Sequence, residues 1–390
     1  MIPQVRVRTP VLRRIAAYTS AALLAALAAC GDDGISNTTP PPPRGIIVLD
    51  GFIQPGLTFL GDTGSARSKL TLAPTTEFDA GGFTLLRDTV LAVSSRGAGD
   101  LLYVTDVRTS STRRIQLPAR SNPSRARLLS GTGGQTLIGA ALRDSSSVAL
   151  VSFAGAGIVT STRITNAGTC PTDLFQFDNA TWIVDANANC KVNYAVQGDV
   201  RLIRVPNTGT TRDTILLPGL RGSGASALVD GDVAYISAGG DASFAAFPYT
   251  LISTGGMTKV DLRGKRVLLT KRMPANTYGA GVKLGLDGFL YVSLYQDLAS
   301  FTNRIIKVRP ADLSFVTSAS ASASADWLVL TSATGSAVTC GSGQADALGR
   351  LHCIQNGTGS VTSLLVFSPA GTEVRRVAAN QGGVDMAIRP

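Results

Sequence analysis

From residue 45 onward, apolar residues come in short runs rich in β-branched and aromatic side chains, each closed by Gly, Asn, Asp or Pro. No stretch there repeats its apolar positions at the spacing of an amphipathic helix, so the pattern predicts an all-β chain of short strands. One phrase recurs. Gly281-Val-Lys-Leu-Gly-Leu-Asp-Gly-Phe-Leu-Tyr-Val-Ser293 reads as strand, Asp-Gly turn, strand, with the Asp-Gly supplying the tight hairpin. Gly224 to Ser237 repeats it with Asp230-Gly231 and Val233-Ala-Tyr-Ile236, and Pro171 to Asp185 repeats it with Asp178-Asn179 and Trp182-Ile-Val184. Weaker copies start near Gly82, Pro123 and Ser342. Each copy is followed by two more strand-like runs, such as Arg304 to Val308 and Ser314 to Thr317, whereas the alternating Ser and Ala of Ala319 to Ala325 read as a loop.

The period is roughly 40–55 residues, the range of four-stranded propeller blades. Openings at Gly82, Pro123, Pro171, Gly224, Gly281 and Ser342 give six units, and the strands of residues 46–72 lack an opening strand of their own. Gly383-Val-Asp-Met-Ala-Ile-Arg-Pro390 is the missing phrase, placed at the chain's end. A C-terminal innermost strand joining three N-terminal strands closes a seven-bladed β-propeller and removes the open sheet edge. These phrases resemble the repeat of NHL and YncE-like seven-bladed propellers, where a Gly-hydrophobic-Ala-hydrophobic-Asp-Gly-Tyr-Val phrase opens each blade. The competing folds are an eight-bladed ring and a pair of β-sandwiches.

The first 45 residues obey another rule. Residues 1–14 are basic and acid-free, and Ile15 to Ala29 is an apolar run broken only by Tyr18, Thr19 and Ser20. A membrane-spanning helix needs about 20 apolar residues, so the run reads as a cleavable secretory signal. Leu27-Ala28-Ala29-Cys30 resembles the bacterial lipobox, which implies cleavage before Cys30, a diacylglyceryl thioether on its sulfur and an acylated amine, palmitate-like chains that anchor the protein stably. Residues 30–45, with the run Pro40 to Pro43, read as an extended tether. The expected organisation is signal peptide 1–29, lipidated tether 30–45 and propeller 46–390. By analogy with enterobacterial sorting, Gly31 after the cysteine favours the outer membrane, so the chain belongs to a bacterial cell envelope.

Of 390 residues 44% are hydrophobic, enough for a buried core, and only 16% are charged. Net charge is +10; Arg6, Arg8, Arg13 and Arg14 of the signal account for four of these, leaving +6 on the mature chain. The remaining basic residues are scattered, with no aromatic-interleaved stripe, which argues against a nucleic-acid partner.

Setting aside Cys30, four cysteines remain, an even number that suits an oxidising compartment. Cys170 precedes the first strand of the fourth blade and Cys190 follows the second, so the hairpin brings both to one edge; Cys340 and Cys353 sit comparably in the seventh. Local disulfides Cys170–Cys190 and Cys340–Cys353 follow. A zinc site wants close cysteine pairs and often His, and neither is present, so no metal is assigned. The one histidine, His352, reads as a structural imidazole. No Gly-x-Ser-x-Gly elbow is found, and Gly131-Thr-Gly-Gly134 lacks the Lys-Ser/Thr of a phosphate loop. A propeller lactonase would hold a metal with Glu, Asn and Asp, but the only glutamates, Glu77 and Glu373, miss the starts of inner strands. Asp178-Asn-Ala-Thr-Trp182 echoes a sialidase box without its Ser and Gly. No catalytic residue and no cofactor beyond the lipid is therefore assigned.

Aligned blade openings put Thr84, Arg125, Asp173, Ser226, Lys283, Gln344 and Asp385 at one equivalent position, all polar, predicting a mixed-charge layer at the channel mouth. The expected function is a membrane-tethered binding or scaffold module for protein or glycan. The alternatives are a lactonase- or glycosidase-like hydrolase using channel Asp and Asn, and an accessory factor of envelope assembly.

Overall fold

The computed structural model describes residues 45–389 apart from 52–54, 62–65, 73–79, 87, 95–99, 131–135, 155–156, 208–210, 244, 247–248, 297, 299–301, 318–325, 357–360 and 382. Residues 1–44, which hold the expected signal, Cys30 and all but the last residue of the expected tether, lie outside the described residues, as do Glu77 and the Ser/Ala stretch 319–325. Among those described there is no helix. Antiparallel sheets form a ring of seven blades.

Blade one has the order Gly383–Arg389, Gly45–Asp50, Gly56–Gly61, Ala66–Thr71, so the last strand of the chain is its innermost member. Blade two runs Ala80–Leu86 to Ser111–Gln116, blade three Pro123–Ser130 to Gly157–Ile164, and blade four Pro171–Phe177 to Asp213–Leu216. Blade five runs Ala225–Asp230 to Arg266–Arg272, blade six Tyr278–Leu284 to Asn303–Val308, and blade seven Ser342–Ala345 to Glu373–Gln381. All six predicted openings and the C-terminal closing strand are thus innermost strands. Each touches the next around the axis, and Gly383–Arg389 touches both Ser342–Ala345 and Ala80–Leu86.

Two details differ from the sequence reading. Blade six pairs three strands, and its expected fourth, Ser314 to Thr317, is reduced to a Val308–Phe315 bridge with Val316 N donating to Lys307 O at 2.8 Å. The Asp-Gly turns are also not uniform. Phe177 pairs with Ala180 across Asp178 and Asn179, both at positive φ (48° and 52°), the mirror-image turn that matches strand twist. Asp287-Gly288 instead lies inside the wider Gly285–Phe289 loop, between the paired Leu284 and Leu290.

The apolar residues bury themselves between blades. Seven clusters of buried side chains occupy the seven seams; Trp182, Val184, Leu202, Ala227 and Ile236 fill the one between blades four and five, where Phe175 stacks on Trp182 with ring centroids 6.2 Å apart. Ile46, Val48, Leu60, Ile354, Leu364 and Met386 fill the seam between blades seven and one. Alternation along each strand therefore serves two neighbours, one per face.

The two predicted disulfides are present. Cys170 and Cys190 have Cα atoms 5.6 Å apart, and Cys340 and Cys353 5.8 Å apart, both within ordinary disulfide reach. The first pins the loop after Ala180–Asp185, whose short Ala188–Asn189/Ala195–Val196 hairpin sits outside the blade ladder.

Candidate functional site

The innermost strands enclose a cavity of about 400 Å³, lined among others by Thr84, Arg125, Arg127, Lys283, Gln344 and Asp385. Five of the seven sequence-predicted positions therefore share one wall. The other two do not. Asp173 is fully buried behind it, and Ser226 pairs its hydroxyl with Ser237 at 3.1 Å while Ala227 takes its place in the lining. The openings of blades two, three, four and six carry a bulge against their second strands, whereas those of blades five and seven pair without one. Asp173 is turned to the guanidinium of Arg127, and Ser226 to the hydroxyl of Ser237.

Two ionic stations hold this wall. In the first, Arg127 donates Nε to Asp173 Oδ1 at 3.0 Å and Nη2 to Asp173 Oδ2 at 2.7 Å, and reaches Ala227 O at 2.9 Å. Asp173 also accepts from Ala227 N at 2.9 Å and from Leu174 N at 2.8 Å, so blades three, four and five are tied together. Burial works against ionisation of Asp173, but Arg127 and Arg125 outweigh it and hold the carboxyl below the usual carboxylate range. In the second, Lys283 donates to Asp385, to Met386 O and, at 2.8 Å, to Ser342 Oγ. Ser342 Oγ donates in turn to Asp385 at 2.6 Å, joining blades six, seven and one. Asp385 is likewise held low, with Lys283 overcoming burial. Gln344 is committed as well, donating to Leu284 O at 2.8 Å and accepting from Ile388 N at 2.9 Å.

Two wall groups stand apart from these stations. Arg125 forms no hydrogen bond among the described residues, and its nearest carboxylate oxygen, Asp173 Oδ2, lies 3.8 Å from Nε. Burial lowers the pKa of its guanidinium, with Asp173 pulling the other way. Thr84 Oγ1 is buried without a hydrogen-bond partner among the described residues.

Sequence reasoning missed Arg127 and Ser342. Two-residue alternation from Arg125 points to the first; the second is the residue that opens its own blade. It also missed a clasp between blades: Asp100 accepts from Ser121 N, from Ser121 Oγ at 2.8 Å and from Asn122 N at 3.1 Å.

The remaining candidate residues lie elsewhere. His352 is 4% exposed, with Nε2 3.1 Å from Asp346 Oδ2. It stands where Tyr291 stands in blade six, one residue into the second strand, and Tyr291 likewise bonds the aspartate of its own turn, Asp287, at 2.7 Å. Glu373 pairs with Arg376 at 2.8 Å on an outermost strand, away from the channel. Among the described residues no group of three His, Cys, Asp or Glu side chains could hold a metal ion.

No family model matches the chain, and no curated protein matches it. Solved structures do. A provisionally assigned 6-phosphogluconolactonase of Bacteroides fragilis is similar over 90% of this chain and 99% of its own, at 12% identity and a TM-score of 0.56. A protein from Lactobacillus plantarum is similar over 88% and 99%, at 14% identity and 0.56. A second provisionally assigned 6-phosphogluconolactonase, from Bacteroides uniformis, is similar over 89% and 100%, at 12% and 0.52. At these identities the likeness concerns the seven-bladed fold alone.

Proposed function

We propose that this protein is a lipid-tethered binding module of the bacterial cell envelope whose propeller takes a glycan-sized ligand in its central cavity. The observation that carries the reading is the state of the wall. Arg127, Asp173, Lys283 and Asp385 are already engaged with one another across blades, so neither carboxylate is free to act as a general base. What remains is a wall of mutually fixed charges set among apolar side chains such as Phe83, Val282 and Met386, the arrangement that favours preorganised recognition. A cavity of about 400 Å³ matches small-ligand pockets of roughly 300–1,000 Å³, whereas a protein partner needs a face of about 800 Å². Glycan is thus favoured over protein as the partner.

Two experiments test the parts separately. Cys30→Ser should leave an uncut or soluble precursor that incorporates no labelled fatty acid; a membrane-bound, labelled Ser variant overturns the tether. A glycan array probed with purified protein should give saturable binding and no released product. Turnover of any lactone or glycoside on a substrate panel overturns the binding reading and favours a hydrolase, the activity provisionally assigned to two of the similar structures.

A further inference from the structure

We infer that the cavity selects a sugar acid, a monosaccharide-sized ligand with one carboxylate, and that Arg125 is the residue that grips it. This deepens the channel-binding reading and rests on it.

The argument begins with the donors left over. A guanidinium carries five N–H groups and is the side chain best shaped to hold a carboxylate through two parallel bonds. Arg127 already uses this geometry on Asp173, and the Lys283 ammonium has three partners for its three hydrogens. Arg125 has none of its donors bonded among the described residues, although its side chain is only 22% exposed and lines the cavity. A partly buried cation without hydrogen bonds is a costly arrangement, and a ligand anion removes that cost.

The second unsatisfied group lies on the adjacent blade. Thr84 Oγ1 is buried and without a partner among the described residues, and it is both a donor and an acceptor. The two inner strands run in close contact because Gly82 has no side chain: a Cβ there would sit 2.2 Å from Ser124 O and 3.2 Å from the Arg125 Cα. Gly82 therefore places Thr84 and Arg125 on adjoining strips of the same wall. Arg125 offers a carboxylate clamp, and Thr84, whose Oγ1 is sealed from the cavity in this rotamer, offers a hydroxyl contact on rotation about χ1, the two functions that a sugar acid presents.

Charge decides between anions. The wall carries Arg125, Arg127 and Lys283 against Asp173 and Asp385, an excess of one positive charge. A single carboxylate neutralises it, whereas a phosphate monoester dianion leaves the site negative and brings its second charge close to Asp173 and Asp385.

Calorimetric titration of the purified full-length protein with glucuronate, gluconate, glucose 6-phosphate and glucose tests this. We expect one glucuronate or gluconate per chain, with glucose and glucose 6-phosphate weaker. Arg125→Gln should weaken the sugar acid by about tenfold to a hundredfold, the loss of a charge-assisted pair, and Thr84→Val should weaken it less. Both variants should melt as the wild type does. Three outcomes overturn the inference: glucose 6-phosphate binding more tightly than the acids, affinity for the acids unaffected by Arg125→Gln in a protein that melts normally, or no acid binding tighter than about 1 mM. Glucose bound as tightly as glucuronate and insensitive to Arg125→Gln also overturns it, yet keeps the channel as a glycan site. Failure of the whole panel together with an empty glycan array removes both readings.

Discussion

Replacing Asp173 by Ala would leave two guanidinium groups facing each other in the channel wall with no carboxylate between them. Breaking a buried pair by removing one partner costs about 3–5 kcal/mol when the survivor is sealed from water. Here Arg127 and Arg125 keep 23% and 22% of their side-chain surface exposed. That contact with channel water reduces the expected loss to roughly 2–4 kcal/mol. Unfolding entropy of about 2.1 cal/mol/K per residue over roughly 345 residues gives about 0.7 kcal/mol/K, so Tm should fall by about 3–6 °C. The double variant Arg127→Met with Asp173→Leu removes the stranded charge and should recover at least about half of that fall. Calorimetric melts near neutral pH read all three proteins. A Tm for Asp173→Ala within about 1 °C of wild type, or a double variant no better than the sum of its singles, refutes the reasoning.

Deleting residues 383–389 should yield aggregate instead of a slightly shortened soluble ring, because it leaves Gly45–Asp50 without its inner neighbour and uncovers Ile46 and Val48; a soluble truncation that melts cooperatively contradicts the closure. Replacing Cys170 and Cys190 together by Ala should cost about 3 kcal/mol by the loop-entropy estimate, read as a lowered urea midpoint, and an unchanged midpoint contradicts a structural role. Burial holds His352 below its ordinary 6.5 although Asp346 pulls the other way. The unfolded state then binds the extra proton first, so stability is complete above about pH 6.5 and falls as pH drops below it. Because this is the chain's one histidine, His352→Gln should flatten Tm between about pH 7.5 and 5.5, and a wild-type Tm constant across that window contradicts the assignment.

The fold was legible because each blade repeats one turn-centred phrase and the chain's final residues repeat it once more without a blade to follow. The disulfides were legible for the same reason: a hairpin fixes which residues share an edge. The wall was legible only in part. Thr84, Arg125, Lys283, Gln344 and Asp385 could be found by counting from the openings, but counting assumes that all openings pair in the same way. Ser226 keeps that count, yet its hydroxyl turns to Ser237 and Ala227 meets the cavity, a difference that leaves no mark in the order of polar and apolar residues. Nor does a linear pattern show that Asp173 faces a guanidinium from the preceding blade, since that contact depends on how adjacent sheets lean together. The fourth strand of blade six was overcounted because Ser314 to Thr317 has strand-like composition, while only Phe315 bridges to Val308.

Gly45 pairs with Arg389, which sets the timetable of the molecule's birth. Blades two to seven can assemble in the order they are made, each from residues contiguous along the chain. The first blade cannot, because its axial strand follows all six other blades in the sequence. Until that strand is made, the blade's apolar seam with blade seven has only one wall, and the pairing that completes it is among the most distant in sequence that this chain allows, the slowest kind to form. A nascent chain therefore exposes an adhesive edge for its whole elongation. A chain that stops before Gly383 would hold six complete blades and never become a ring.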